Sequence, residues 1–291
     1  MDYIYLDNNA TTQPAPEVVA AMALMLEHDW ANPSSVHRLG QLARHRVELA
    51  RAEVARLIHC REQELIFTSG GTEANNLALR GTLHAGVRGQ GSGVGGRPVG
   101  PPVAKLITTA VEHPSVHEAA QMLADAGVQL VYLPIDLDGR VDPQALAAAL
   151  DEHAGSAATI LVSIQWANNE TGVIQPIEEL AEMVQSHRAA PGTPGKKVLL
   201  HVDATQAVGK IPIDAQATPI DLLTLAAHKF HGPKGAGALY ARTGVRLHAQ
   251  MQGGSQERRR RGGTPRPTAP PRRWRQGRPR CGGGPTRDPR P

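Results

Sequence analysis

At 291 residues the chain is long enough to bury a large core in one or two domains; its 2 cysteines exclude a disulfide framework, and no run approaches the roughly 20 apolar residues of a membrane span. The formal net charge of +4 hides two unlike parts: residues 258–291 carry 12 arginines against one aspartate, a net +11, which leaves −7 on residues 1–257. The body is thus an ordinary acidic protein with no electrostatic case for nucleic-acid binding, and the lack of a basic, apolar leader in Met1–Asp7 predicts a cytoplasmic location.

Residues 1–16 read as an N-terminal segment. Apolar spacing then predicts helices over 17–28 and 38–58, separated by the helix-breaking Asn32-Pro33-Ser34-Ser35. Leu65–Thr68 reads as a buried strand running into Ser69-Gly70-Gly71-Thr72 and a helix from Glu73 to about His84. Residues 86–102, rich in Gly and Pro, are expected to form a flexible insertion, and 189–197 a shorter loop of the same kind. Further strands are predicted at 105–109, 129–135, 159–165, 198–202 and 221–226, with helices at 114–126, 142–151 and 176–188. This alternation predicts an α/β domain over residues 17–257 built on a mainly parallel sheet. Residues 258–291 form an Arg/Pro-rich tail; within it, 265–291 hold 8 prolines and 8 arginines and no Leu, Ile, Val, Phe or Met. Such a segment cannot bury enough apolar surface to offset its ordering entropy and is expected to be disordered. Out-of-frame GC-rich sequence has the same composition, so the tail is not read as a nucleic-acid-binding arm.

The residues with chemical potential follow predicted strand ends, the edge at which open α/β sheets bind ligands. Ser69-Gly70-Gly71-Thr72 offers backbone N–H groups and a helix dipole to an anion, or is a plain tight turn with Thr72 near the cap. His113 can stack on a flat ring and move protons, or be a structural histidine. Asn168-Asn169-Glu170-Thr171-Gly172 can offer amides to a phenolic oxygen or carboxylate, or simply turn. Asp203, with Gln206 beyond it, is an acid at a strand end or a helix N-cap. Lys229 follows the next strand, 26 residues after Asp203. An acid and a lysine so placed are what pyridoxal phosphate requires. The amine condenses with the cofactor's aldehyde, and the carboxylate keeps the pyridine nitrogen protonated. These residues call for no metal.

The motifs resemble those of the cysteine desulfurases and the related selenocysteine lyases, pyridoxal-phosphate enzymes of the class V aminotransferase group with fold type I. The resemblance runs through YLDNNATT at 5–12, NPSS at 32–35, FTSGGTEANN at 67–76, VEHPSV at 111–116, NNETGV at 168–173, HVDATQAVGK at 201–210, HKFHGPKGAGALY at 228–240 and GGSQERRRRGGT at 253–264. It implies that Lys229 binds the cofactor and moves protons, His113 stacks on its ring, Asp203 pairs with the ring nitrogen and Gln206 contacts the phenolic oxygen. It implies further that Gly71, Thr72 and His228 hold the phosphate, Asn169 contacts cofactor or substrate, and Thr264 reaches the phosphate of a partner subunit in a homodimer. The implied reaction converts L-cysteine to L-alanine and passes sulfur to an enzyme thiol, for iron–sulfur cluster assembly or other thiolation through a sulfur-acceptor or scaffold protein.

Three departures bear on that expectation. The family often has a phosphate-binding serine where this chain has Ala226, with Thr224 two residues earlier. An apolar residue there, like the 86–102 loop, is also similar to selenocysteine lyases. The family's nucleophilic cysteine lies on a loop of a C-terminal small domain, roughly a hundred residues beyond the lysine, whereas this sequence ends 62 residues after Lys229. The small domain is expected to be largely missing, and the change after Thr264 looks like a reading-frame shift. Cys60 is expected to be a small packed side chain, and Cys281, in the tail, to be unordered over the cofactor. Selenocysteine as substrate, or a truncated chain that binds cofactor without releasing sulfur, are the alternatives.

Overall fold

The computed structural model describes residues 4–88, 91–92, 98–99, 104–152, 159–188 and 197–264. Its seven-stranded sheet comprises β1 (Leu65–Thr68), β4 (Ala104–Thr109), β5 (Gln129–Leu133), β6 (Thr159–Gln165), β7 (Lys197–Asp203), β8 (Leu222–Ala226) and β9 (Gly237–Ala241), in the order β1-β9-β8-β7-β6-β4-β5. The short strands β2 (Gly91–Ser92) and β3 (Pro98–Val99) form a separate antiparallel pair. β4 to β8 run parallel; β9 is antiparallel to both β8 and β1, so β1 points the same way as the parallel strands.

The central strands are apolar on both faces because helices cover both. Ile160, Val162 and Ile164 of β6 join one core with Leu146 and Leu150 of α5 (Pro143–Asp151) and Leu180 and Val184 of α6 (Ile177–Ser186). Leu161 and Leu199 face the other core, with Leu77 and Leu83 of α3 (Gly71–Arg88) and Val116 and Leu123 of α4 (Pro114–Asp125). This is the reason strands of a parallel sheet read as unbroken apolar runs. α1 (Pro16–His28) and α2 (Arg38–Leu57) precede the sheet, with His37 Nδ1 capping α2 by accepting from Gly40 N at 3.3 Å.

The mainly parallel α/β architecture is as the sequence predicts, with two amendments. Gly237–Ala241, which carries no alternation, is a fully buried strand inserted between β1 and β8. α3 begins at Gly71 and reaches Arg88, into the expected insertion; most of the rest of 86–102 lies outside the described residues. The loop at 189–196, the tail from 265 and Cys281 also lie outside them. Arg258, Arg260 and Arg261, which composition groups with the tail, bond to the body: Arg258 and Arg260 donate to Gln63 O at 2.8 and 2.7 Å, and Arg261 pairs with Glu73 at 2.8 Å.

Candidate active site

Every candidate up to Lys229 follows the C-terminal end of a strand, and all those ends share one sheet edge. β1 ends before Gly71, β4 before His113, β6 before Asn169, β7 at Asp203 and β8 before Lys229.

Lys229 ends the 3-10 turn Ala227–Lys229 that follows β8. The chain folds back tightly beyond it: a Cβ on Gly232 would lie 2.6 Å from Ala227 Cβ, so no other residue fits without movement. Lys229 Nζ donates to Asn9 O at 2.5 Å and Ala10 O at 3.0 Å. Burial lowers its pKa, opposed by the charges of Asp203 and Asp7. His228 is likewise lowered, by burial and then by Lys229 and Lys234. Its Nδ1 lies 3.2 Å from Thr11 Oγ1, and its carbonyl accepts from Thr12 N at 2.8 Å.

Asp203 is buried at the end of β7. Its Oδ1 accepts from Thr205 N at 3.0 Å, the turn-forming role, while Oδ2 accepts from Asn75 Nδ2 at 2.7 Å. Asn75 Nδ2 also donates to Ser115 Oγ at 2.8 Å, and Ser115 Oγ lies 2.7 Å from His113 Nδ1. Ser115 N donates to the same Nδ1 at 3.1 Å. Nδ1 is therefore an acceptor, and the bond directions assign the ring proton to Nε2. His113 is at once the N-cap of α4 and one end of a relay to Asp203. Next to it Glu112 is buried; Oε1 accepts from Thr109 Oγ1 at 2.8 Å and Gln165 N at 3.0 Å, while Oε2 has no partner. Burial pushes its carboxyl up to about 8.

Gly70 (φ 155°) turns the chain from β1 into α3, and a Cβ on Gly237 would lie 2.7 Å from Gly70 Cα. β9 thus approaches the turn more closely than a side chain allows. α3 starts just past the end of β1, and because the first N–H groups of a helix have no intrahelical acceptor, its start is suited to cradle an anion. A Cβ at Gly71 would sit 3.1 Å from Thr205 Oγ1 and 3.4 Å from Ala226 Cβ. Thr205 Oγ1 is buried without a partner. Thr72 is exposed at the start of α3. The cradle, the orphaned hydroxyl, the buried carboxylate and the lysine suit the phosphate, ring nitrogen and aldehyde of pyridoxal phosphate.

Gln206 is buried, with Nε2 donating to Asn9 O at 2.8 Å and Oε1 accepting from Lys210 Nζ at 2.5 Å. Asn168 serves the turn, its Oδ1 accepting from Glu170 N at 2.8 Å and Thr171 N at 2.9 Å; Asn169 accepts from Asn9 Nδ2 through its carbonyl at 3.0 Å. Thr264 is exposed at the end of the described chain. Thr224 does not replace the serine absent at 226: it is fully buried in β8, its Oγ1 3.1 Å from His201 Nε2. Cys60 lies before β1, at the opposite sheet edge, and burial pushes its thiol up to about 12. Among the described residues, no helix is long and apolar enough to cross a membrane and no group of His, Cys, Asp and Glu could hold a metal.

Sequence reasoning passed over Asn75, Ser115, Thr205 and the Asn9–Thr12 strip. The available signal was the i, i+4 spacing from Gly71 to Asn75, which puts both on one face of α3.

The model of the family described as aminotransferase class-V matches residues 4–283. Cysteine desulfurase IscS of Dictyoglomus turgidum is 41% identical over 262 residues, covering 90% of this chain and 59% of its own length. Cysteine desulfurase 2 of Trichormus variabilis is 43% identical over 264 residues, covering 91% and 59%. The chain thus spans about three fifths of the length of these relatives. Among solved structures, a NifS-like protein superposes with a TM-score of 0.80 at 35% identity, covering 92% of this chain and 67% of its own. SspA in complex with cysteine superposes with a TM-score of 0.78 at 31% identity, covering 91% and 70%.

Proposed function

The chain belongs to the aminotransferase class-V family, and from that premise we propose that this sheet edge binds pyridoxal phosphate and activates L-cysteine for transfer of its sulfur to a thiol. The observation that carries the reading is the pairing of Asp203, buried at the end of β7 and held by Asn75 at 2.7 Å, with Lys229 just beyond the end of the adjacent β8. When bound, the cofactor supplies an aldehyde and an electron-accepting ring. Asp203 holds the proton on the ring nitrogen. Lys229, its pKa lowered by burial, offers a larger neutral fraction for attachment and for accepting the Cα proton. His113 stacks on the ring. Gly71, Thr72 and His228 bind the phosphate, Asn169 orients cofactor or substrate, and Gln206 reaches the phenolic oxygen by exchanging its bond to Asn9 O.

The names of the relatives, and a structural neighbour described as a complex with cysteine, support cysteine over selenocysteine. Sulfur delivery to iron–sulfur assembly or another acceptor, a homodimer in which Thr264 meets the partner's phosphate, and a cytoplasmic site of action belong to the same proposal. Cys60, half-buried at the far edge with its thiol pushed up to about 12, is not the sulfur-accepting nucleophile. The described residues supply the cofactor-binding and Cα-activating half of the reaction; this favours cofactor binding without sulfide release as the second reading.

The test is an absorption spectrum of the chain with pyridoxal phosphate, with loss of deuterium from Cα-deuterated L-cysteine followed by NMR. A visible band that shifts with cysteine, with exchange at Cα, is expected, and Lys229→Ala abolishes both. A band that survives Lys229→Ala removes the lysine from its role. Exchange without sulfide release supports the second reading.

A further inference from the structure

We infer that Thr205 Oγ1 is a phosphate-anchoring hydroxyl in this chain; the inference rests on the cofactor reading above and adds a residue to it. Three elements meet at Gly71: the start of α3, the turn after β7 that carries Thr205, and the end of β8 at Ala226. Thr205 Oγ1 lies 3.1 Å, and Ala226 Cβ 3.4 Å, from the point where a Gly71 Cβ would stand. The hydroxyl is buried and bonds to nothing, and it sits against the first turn of a helix, where the leading N–H groups have no acceptor within the helix. Buried hydroxyls are nearly always paired, so one left unpaired beside free N–H donors marks where an acceptor binds. An oxyanion supplies that acceptor, and a helix N-terminus favours its charge.

The geometry also explains how Ala226 is tolerated. Thr224, the other hydroxyl on β8, is engaged with His201 at 3.1 Å and is fully buried. Ala226 has no polar atom in its side chain. Thr205 reaches the same point from the neighbouring turn, so the cradle keeps a side-chain hydroxyl donor supplied from a different strand end. Its backbone N–H, bonded to Asp203 Oδ1 at 3.0 Å, fixes the residue that carries it. One turn thereby positions the carboxylate for the ring nitrogen and the hydroxyl for the phosphate.

The experiment compares pyridoxal phosphate with pyridoxal, which lacks the phosphate, as titrants of the full chain and of Thr205→Val, Thr205→Ser and Thr205→Val/Ala226→Ser. Loss of a hydrogen bond to a charged group is expected to weaken pyridoxal phosphate binding by about 10- to 100-fold in Thr205→Val. Pyridoxal binding stays unchanged in that variant, Thr205→Ser binds like the parent, and Ala226→Ser restores part of the loss. Inorganic phosphate, read by thermal melting, stabilises the parent and Thr205→Ser more than Thr205→Val. Equal affinity of Thr205→Val and parent for pyridoxal phosphate, with the Lys229-dependent band intact, overturns the role of Thr205 and leaves the cofactor reading standing. If the parent binds neither pyridoxal phosphate nor pyridoxal, the cofactor reading falls and Thr205 with it. Should Thr205→Val not fold, Thr205→Ala takes its place in the same titrations: an about 10- to 100-fold weaker affinity for pyridoxal phosphate with pyridoxal binding unchanged supports the role, and parent-like affinity for pyridoxal phosphate overturns it.

Discussion

Asn75 joins two residues that the sequence could only place separately. Its amide nitrogen spans Asp203 and Ser115, and through Ser115 it fixes the acceptor state of His113 Nδ1. Glu112, adjacent in sequence to His113, has the opposite character: a fully buried carboxyl with one oxygen unpartnered and Asp203 nearby. Burial, reinforced by Asp203, raises it to about 8 from a carboxylic acid's usual 4.5. The folded state therefore holds a proton that the unfolded chain releases. The stability from this group is complete below about 4.5 and is lost as pH rises towards about 8, by about 1.4 kcal/mol per pH unit at its steepest. Glu112→Gln keeps an acceptor for Thr109 and Gln165 and removes the titration. Its unfolding free energy, compared with the parent from pH 5 to 8 in urea, is expected to gain on the parent with each unit. Parallel profiles would show that Glu112 ionises in the folded protein as it does in the unfolded one.

Among the elements, the segment 253–264 shows what binds the last described stretch to the sheet. Arg51 of α2 reaches Glu257 through two bonds of 3.0 and 2.8 Å, donates to Leu65 O at 3.0 Å and lies over the Phe67 ring at 4.5 Å. Glu257 in turn accepts from Phe67 N at 3.1 Å. Arg51 and Glu257 side chains are only 6% and 4% exposed, so removing Glu257 leaves a buried guanidinium whose remaining carboxylate partner is the half-exposed Glu48, 3.2 Å from Arg51 Nε. Glu257→Ala is expected to cost about 3–5 kcal/mol, read as a lower urea midpoint; a loss below about 1 kcal/mol would place the pair among ordinary surface bridges. Glu257 sits at φ 45° and begins three consecutive left-handed residues, a conformation no local pattern announces. The same limit governed the reading of the fold. β4 and β6–β8 were legible because strands buried on both faces stay mostly apolar, with only occasional polar residues such as Ser163 and His201. β9 was not, because Gly237-Ala238 follows a glycine-rich run and becomes strand only by pairing with Leu65–Thr68 and Leu222–Ala226. Asp203 and Lys229 were legible from their places after strand ends. Asn75 and Thr205 were not, because what marks them is a partner 128 residues away in one case and a missing partner in the other.

Across the molecule, the site is assembled from segments far apart in sequence, and the N-terminal strip closes it. Thr12 N and Oγ1 donate to His228 O at 2.8 and 2.9 Å, Thr12 Oγ1 accepts from His231 N at 2.6 Å, and Ala15 N donates to His231 O at 3.0 Å. Asn9 O accepts from both Lys229 and Gln206. Residues 9–15, 71–75, 203–206 and 226–231 therefore hold their places only while the sheet is intact. A ligand touching several of them has affinity for the folded chain alone, and such a ligand stabilises by about 2.7 kcal/mol at 100 times its Kd. Pyridoxal phosphate at that concentration is expected to raise the free energy of urea unfolding by that amount. Lys229→Ala, which keeps the phosphate cradle but loses the attachment point, is expected to need more cofactor for the same gain. An unchanged midpoint at saturating cofactor would mean that these segments come apart before the sheet does. The four segments would then act independently, and the hydrogen bonds at Thr12 and Asn9 would not couple the site to the fold.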